Sequence, residues 1–101
     1  MENNTYTQQR DAKNIVKLRE MRDKLPLFCA EFFIGIENTT SVLSRIAYAQ
    51  DLTTFFHFLT TEIPLFMNKD CRLLDLNDLN NVTAEHIELF LEYLSLYFLF
   101  W

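Results

Sequence analysis

A chain of 101 residues has room for one domain and no second core. Half of its residues are hydrophobic, and one Gly and two Pro offer too little turn-forming sequence for an all-β fold of this length. The net charge of -5 has the wrong sign for a protein whose main task is to neutralise phosphates, although six of the nine basic residues lie in residues 10–24. Composition therefore predicts a compact all-α domain with a locally basic N-terminal segment.

The first third of the chain is expected to hold a tail and two helices. Residues 1–9 are polar and predict a disordered tail, so that the domain covers residues 10–101. A first, partly exposed helix is predicted over about residues 11–24. Pro26 breaks that helix and fits the first turn of a second one. The apolar stripes expected are Ile15, Leu18, Met21 and Leu25 on the first helix, and Phe28, Phe32, Phe33 and Ile36 on the second.

A third helix is predicted to be the longest. The polar residues 38–41 offer hydroxyl and amide caps for its start, and Pro64 prevents it from continuing much beyond Glu62. At 1.5 Å per residue it should be about 30 Å long. Its side chains that follow helical spacing are expected to form the core, and they are Tyr48, Leu52, Phe55, Phe56, Leu59 and Ile63.

The last helix has two apolar stripes where a surface helix needs one. A loop with a short helical turn in residues 73–79 precedes it, and Thr83 is a suitable cap, which brings the prediction to a bundle of four main helices. One stripe consists of Ile87, Phe90, Leu91, Leu94, Tyr97 and Phe98, and the other of Leu89, Tyr93, Leu96 and Phe100.

The sequence contains no recognisable targeting signal and no catalytic or metal-binding motif. Cys29 and Cys71 are too few and too isolated for a disulfide framework, and no apolar run follows a basic start as in a signal peptide. Residues 87–101 are apolar but contain two Glu and fall short of the roughly 20 residues of a membrane span. We therefore expect a cytoplasmic protein with reduced thiols and no membrane contact. With no nucleotide loop, metal-ligand cluster or activated nucleophile, the sequence predicts neither a cofactor nor a metal nor a catalytic residue.

An ordered series of motifs covers residues 27–97. It consists of Phe-Phe-x-Gly-Ile-Glu at 32–37, Thr-Ser at 40–41, Arg-Ile-Ala-Tyr-Ala-Gln-Asp-Leu at 45–52, Phe-Phe-His-Phe-Leu at 55–59 and Val-Thr-Ala-Glu-His-Ile-Glu-Leu-Phe-Leu-Glu-Tyr-Leu at 82–94. This series resembles the N-terminal SAM-like, or core-binding, domain of tyrosine recombinases, the phage-integrase family. Arg-Ile-Ala-Tyr after a basic segment is similar to bacterial and mobile-element members.

The resemblance implies a DNA-binding module without catalytic activity of its own. In that family the small helical domain clamps one side of duplex DNA, whereas a separate C-terminal domain carries the catalytic residues for DNA integration and recombination. The expected partner is duplex DNA, contacted mainly at its phosphates, in the bacterial cytoplasm and on the nucleoid. The candidate contacts are Thr40, Ser41, Ser44 and Arg45 at the start of the third helix, and Lys17, Arg22 and Lys24 in the basic segment. Ordinary capping by the hydroxyls and a solvated helix face for the cations stay open as alternatives.

The family has a further basic helix after the Tyr-Leu motif, and the 101 residues of this sequence do not include such a helix. We therefore expect the domain to be incomplete at its C-terminus, and the second stripe of the last helix to be bare and to drive self-association. The alternative hypothesis is a helical protein-interaction or dimerisation module that uses this stripe and the net acidity. An independent helix-turn-helix repressor is disfavoured, because no short helix pair with a basic second helix is apparent.

Overall fold

The predicted all-α fold is confirmed. The computed structural model describes residues 6–99, with side chains up to Leu96, and this part of the chain contains helices and turns but no strand. Two short 3₁₀ turns, Pro64–Phe66 and Cys71–Leu73, follow the longest helix. The α-helices are α1 (Tyr6–Arg22), α2 (Cys29–Ile36), α3 (Val42–Glu62), α4 (Leu76–Asn80) and α5 (Ala84–Leu99).

Helix α1 begins earlier than the sequence predicts. Residues 6–9, which were assigned to a disordered tail, are helical, and residues 1–5 lie outside the described part of the chain. Leu18 is buried on the predicted stripe, but Ile15 is 44% exposed because the first half of α1 extends beyond the core. The radius of gyration of 16.3 Å reflects this extension, since a compact chain of this length has about 13 Å.

Helix α3 is the centre of the core, and its ends follow the predicted signals. Ser41 is the N-cap and its Oγ accepts a hydrogen bond from the Ser44 N–H at 3.1 Å, whereas Ile63 before Pro64 is already extended. Helix α1, helix α5 and both 3₁₀ turns pack against α3. The buried residues of the core are Leu18, Leu25, Cys29, Phe33, Ile46, Ala49, Phe56, Phe58, Leu59, Ile63, Phe66 and Leu74.

The predicted stripe of α3 is largely confirmed, with one error. Phe56, Leu59 and Ile63 are buried, and two further members pack on the core as half-buried side chains. Tyr48 is 41% exposed and was wrongly assigned to the core. Tyr48 lies at the border of the buried face of α3. Its ring packs edge-on against that of Phe32, with centroids 6.1 Å apart.

Helix α5 packs on α3 through aromatic rings. The Phe90 centroid lies 5.1 Å from Phe55 and 5.3 Å from Phe58, and Tyr93 lies 5.2 Å from Phe58. Thr83 caps the helix as predicted: its Oγ1 accepts from the His86 N–H at 3.2 Å while its own N–H donates to His86 Nδ1 at 3.0 Å.

This packing corrects the prediction for the two stripes of α5. The core takes Phe90 from the first stripe and Tyr93 from the second, because the buried side of the helix lies between the two. Residues on both flanks remain exposed, namely Ile87, Leu89, Leu91 and Leu96. Phe100 and the side chains of Tyr97 and Phe98 lie outside the described residues.

Reciprocal hydrogen bonds between two acidic residues stabilise the start of the short helix α4, where a helical turn was predicted. The Asp75 and Asp78 side chains each accept a hydrogen bond from the other residue's N–H, at 2.8 and 3.0 Å. Asp78, 9% exposed, also receives the ammonium group of Lys69. The hydrogen bond from Lys69, and then that from the Asp75 backbone, hold the pKa of the Asp78 carboxyl below its usual value.

Replacing Phe58 should test whether α3 organises the core. Phe58 is 2% exposed and touches two rings of α5, so Phe58→Ala is expected to cost about 3–5 kcal/mol of unfolding free energy, measured by urea denaturation. Leu43→Ala on the same helix is the control, because Leu43 is 62% exposed and its loss should cost within about 0.5 kcal/mol. Equal losses for both variants would contradict this account of the core.

Candidate nucleic-acid interface

Arg45 joins the end of α2 to the start of α3. Its Nη1 donates to the Thr40 carbonyl at 2.6 Å and to the Glu37 carbonyl at 2.8 Å. Carbonyl groups at the end of a helix have no partner within the helix, so a guanidinium group here stabilises α2. These bonds use Nη1, whereas the edge formed by Nε and Nη2 takes part in none of them. Arg45 is thus held in a fixed orientation with one donor edge still available.

The three hydroxyls predicted to contact DNA have structural partners. Thr40 Oγ1 donates to the Ile36 carbonyl at 2.6 Å, at the C-terminal end of α2. Ser41 Oγ donates to Ser44 Oγ at 3.1 Å, in addition to capping α3. Capping, which the sequence left open as the alternative, therefore accounts for the placement of Thr40 and Ser41, and Ser44 is bound to the Ser41 cap. Among the four residues predicted here, Arg45 is the one with charged donors beyond its structural contacts.

The cations of the basic segment lie on α1 and on the turn that follows it. Lys17 and Lys24 are exposed, whereas Arg22 is half-buried with its guanidinium 5.1 Å from the centre of the Phe33 ring. Two side-chain ion pairs occur among the described residues, Arg10–Asp11 and Lys69–Asp78. The three predicted contacts in this segment are therefore free of carboxylate partners in the part of the chain that is described.

A cleft of about 280 Å³ lies where α1 ends and α2 begins. Arg19 and Arg22 line it from the last turn of α1, and Arg72 lines it from the turn Cys71–Leu73. The Nη1 group of Arg72 donates to the Asp23 carbonyl, and the Arg72 carbonyl accepts from the Leu27 N–H at 3.3 Å. The sequence contains no local pattern that connects Arg72 with the basic segment, since 49 residues separate Arg72 from Asp23.

The structure brings Arg22 of the basic segment and Arg45 of the second set to α2 but does not join the two sets. Arg22 rests on Phe33 in the middle of α2, and Arg45 binds the carbonyl of Glu37 just after its last turn. No hydrogen bond or ion pair within residues 6–96 connects one set with the other. The two sets thus flank one short helix as separate basic positions.

Metal-ligand groups and membrane-spanning helices are absent from the described residues. These residues contain no group of three or more His, Cys, Asp or Glu side chains that could hold a metal ion. None of the helices in residues 6–99 combines the length and apolar character needed to cross a membrane.

No protein-family model, curated protein or solved structure matches the chain in comparisons with known proteins. The resemblance to tyrosine recombinases therefore remains a prediction.

Both thiols should be unreactive in the folded chain. Burial, and then the neighbouring Cys71, raise the pKa of the Cys29 thiol to about 11, and burial also raises the pKa of Cys71. Because the thiolate is the reacting form, alkylation of Cys29 near about pH 8 should be about a hundredfold slower than in the urea-unfolded chain, where the thiol pKa is about 8.5. The rate should keep rising with pH beyond about 9, which mass spectrometry of iodoacetamide adducts can follow. A plateau near the ordinary thiol pKa would contradict the prediction.

Proposed function

We propose that this chain is a DNA-binding module, like the core-binding domain of a tyrosine recombinase, and that it contacts the phosphates of duplex DNA through α1. The observation that carries this proposal is the uneven distribution of charge. Residues 6–24 contain six basic and three acidic residues, whereas residues 25–101 contain three basic and ten acidic ones. A duplex is therefore attracted to the α1 side and repelled by the remainder, which sets its orientation on the protein.

The geometry of α1 supports a phosphate contact more directly than that of α3. Lys13 and Lys17 lie one helical turn apart on an exposed flank, without ion-pair partners among the described residues. Arg45 adds one fixed donor edge beside α2. These contacts recognise the backbone and not the base sequence, so binding should be weak, salt-dependent and nearly independent of sequence. Catalysis of strand exchange belongs, under this proposal, to a different domain.

Titration of a duplex at low salt tests the proposal. The double substitution Lys13→Gln with Lys17→Gln should weaken binding about tenfold for any sequence and lower the slope of log K against log salt by about 2, since each lost phosphate contact accounts for about 0.9. Glu20→Gln on the same helix is the control and should strengthen binding, because it removes a negative charge. No binding by the unaltered chain at any salt concentration would refute the DNA hypothesis.

Arg45 has two roles under this proposal, as a cap of α2 and as a charged contact to DNA, and a suitable variant separates them. Arg45→Ala removes a cap from α2 as well as a charge, so weaker binding by this variant alone would not distinguish folding from contact. Arg45→Lys keeps the charge and can still donate to the same carbonyls, but it loses the second donor edge. Its melting temperature should stay close to that of the unaltered chain while binding to DNA falls.

The second candidate function is self-association through α5, and exposed apolar surface favours it. Leu91 and Leu96 are more than half exposed, on opposite flanks of the helix. Beside Leu96, a groove of about 210 Å³ runs between the end of α3 and α5, with Glu62 and Glu92 among its lining residues. A second copy of the chain, which carries the same apolar side chains, can bury those on either flank of α5.

Sedimentation velocity can test self-association. Leu96→Glu places a charge on the groove and should shift the chain towards monomer at concentrations on the order of 10 µM, where weak dimers form. Leu43→Glu is the matched control, because Leu43 is also more than half exposed but lies at the start of α3 and does not line the groove. A chain that is monomeric before substitution would rule out this function.

A further inference from the structure

Three arginines line the cleft at the end of α1. Arg19 and Arg22 lie one turn apart on α1, and Arg72 reaches the same cleft from a distant turn. We propose that this cleft binds a single phosphate-like oxyanion. The inference does not depend on the proposed DNA contact, because inorganic phosphate alone can occupy such a site.

The charge of the cleft favours an anion. The chain has 14 acidic and nine basic residues, so most cations could find a carboxylate partner at little cost. Yet none of the three arginines forms an ion pair with a carboxylate in the described part of the chain. Asp23 is the one acidic residue that lines the cleft. The cleft thus concentrates positive charge that is not neutralised by the described residues.

The donors of the cleft are held in place before any ligand binds. Arg72 is fixed by Nη1, which donates to the Asp23 carbonyl and to that of Leu25 at 3.5 Å, so its Nε–Nη2 edge is oriented but uncommitted in these bonds. Arg22 stacks on Phe33, and a stacked guanidinium keeps its N–H donors in its own plane. Because Arg forms paired hydrogen bonds with phosphate oxygens, such fixed edges bind an oxyanion at a low cost in side-chain entropy.

A purely structural role explains only part of this arrangement. Arg19 and Arg22 in the last turn complement the negative end of the α1 dipole, and Nη1 of Arg72 binds carbonyls there. Arg19, however, makes no side-chain hydrogen bond within the described residues, and dipole complementarity does not require an open cleft. The volume of about 280 Å³ is several times the roughly 30 Å³ of a water molecule, so a five-atom oxyanion fits together with some of its water.

Titration of the full chain with inorganic phosphate, followed by ¹H–¹⁵N NMR at constant ionic strength, tests the site. The amides of Asp23, Leu27 and Arg72 should shift in a saturable manner, and chloride at equal ionic strength should leave them unchanged. Arg19→Gln should weaken phosphate binding about tenfold, since it removes charge-assisted hydrogen bonds. Arg10→Gln removes the same charge from an exposed position of α1 outside the cleft and should change the affinity by less than about twofold.

The outcomes separate the site, its ligand and the proposed function. Shifts that do not saturate, or equal losses in Arg19→Gln and Arg10→Gln, would overturn the site. If Arg19→Gln weakens binding of both phosphate and duplex more than Arg10→Gln does, the site takes a backbone phosphate of DNA. If the two variants bind the duplex equally and Arg19→Gln alone loses phosphate, the site takes a small phosphorylated molecule. Arg19→Lys, which keeps the charge but loses the planar donor fork, should bind phosphate with intermediate affinity and guards against misfolding of the Gln variant.

Discussion

Burial of the aromatic and aliphatic side chains of α3 is the constraint on which the rest of the structure depends. Helix α1, helix α5 and both 3₁₀ turns all pack against this one helix. Leu25, Phe33, Leu59 and Phe66 are each about 1% exposed and Ala49 is fully buried, so the best-buried side chains come from both halves of α3 and from the segments around it. The first half of α1 extends beyond this core, in agreement with the elongated shape. The apolar side chains of α5 that remain exposed lie on both flanks of its packed face.

The short helix α2 connects the fold to its candidate sites. A helix of eight residues is too short to be stable alone, so it needs contacts at its ends. Arg45 and the Thr40 hydroxyl bind its last carbonyls, and Arg22 covers Phe33 in its middle. Two of the cations predicted to meet DNA therefore also stabilise the fold. Their substitution affects stability as well as binding, whereas the exposed lysines of α1 can be changed without this complication.

The sequence predicts where the helices begin and end better than it predicts which side of each helix is buried. The ends of α3 and the start of α5 follow from Ser41, Pro64 and Thr83, because a cap and a helix breaker act within a few residues. The direction in which a helix turns its apolar residues depends on neighbours distant in sequence. The burial of Tyr48 and of the two stripes of α5 was predicted incorrectly for this reason. The arginine cleft could not be predicted, because Arg72 reaches Asp23 across 49 residues.

The positions of the basic groups show where an acidic chain offers donors to an anion. The arginine cleft reaches from the last turn of α1 to Phe33 in α2, whereas Arg45 binds the Glu37 carbonyl just after that helix. Both positions are therefore attached to one short helix, and a change that displaces α2 alters both. Under the proposed function, the net charge of -5 weakens the attraction of a duplex, whereas the number of phosphates contacted sets the salt dependence of binding.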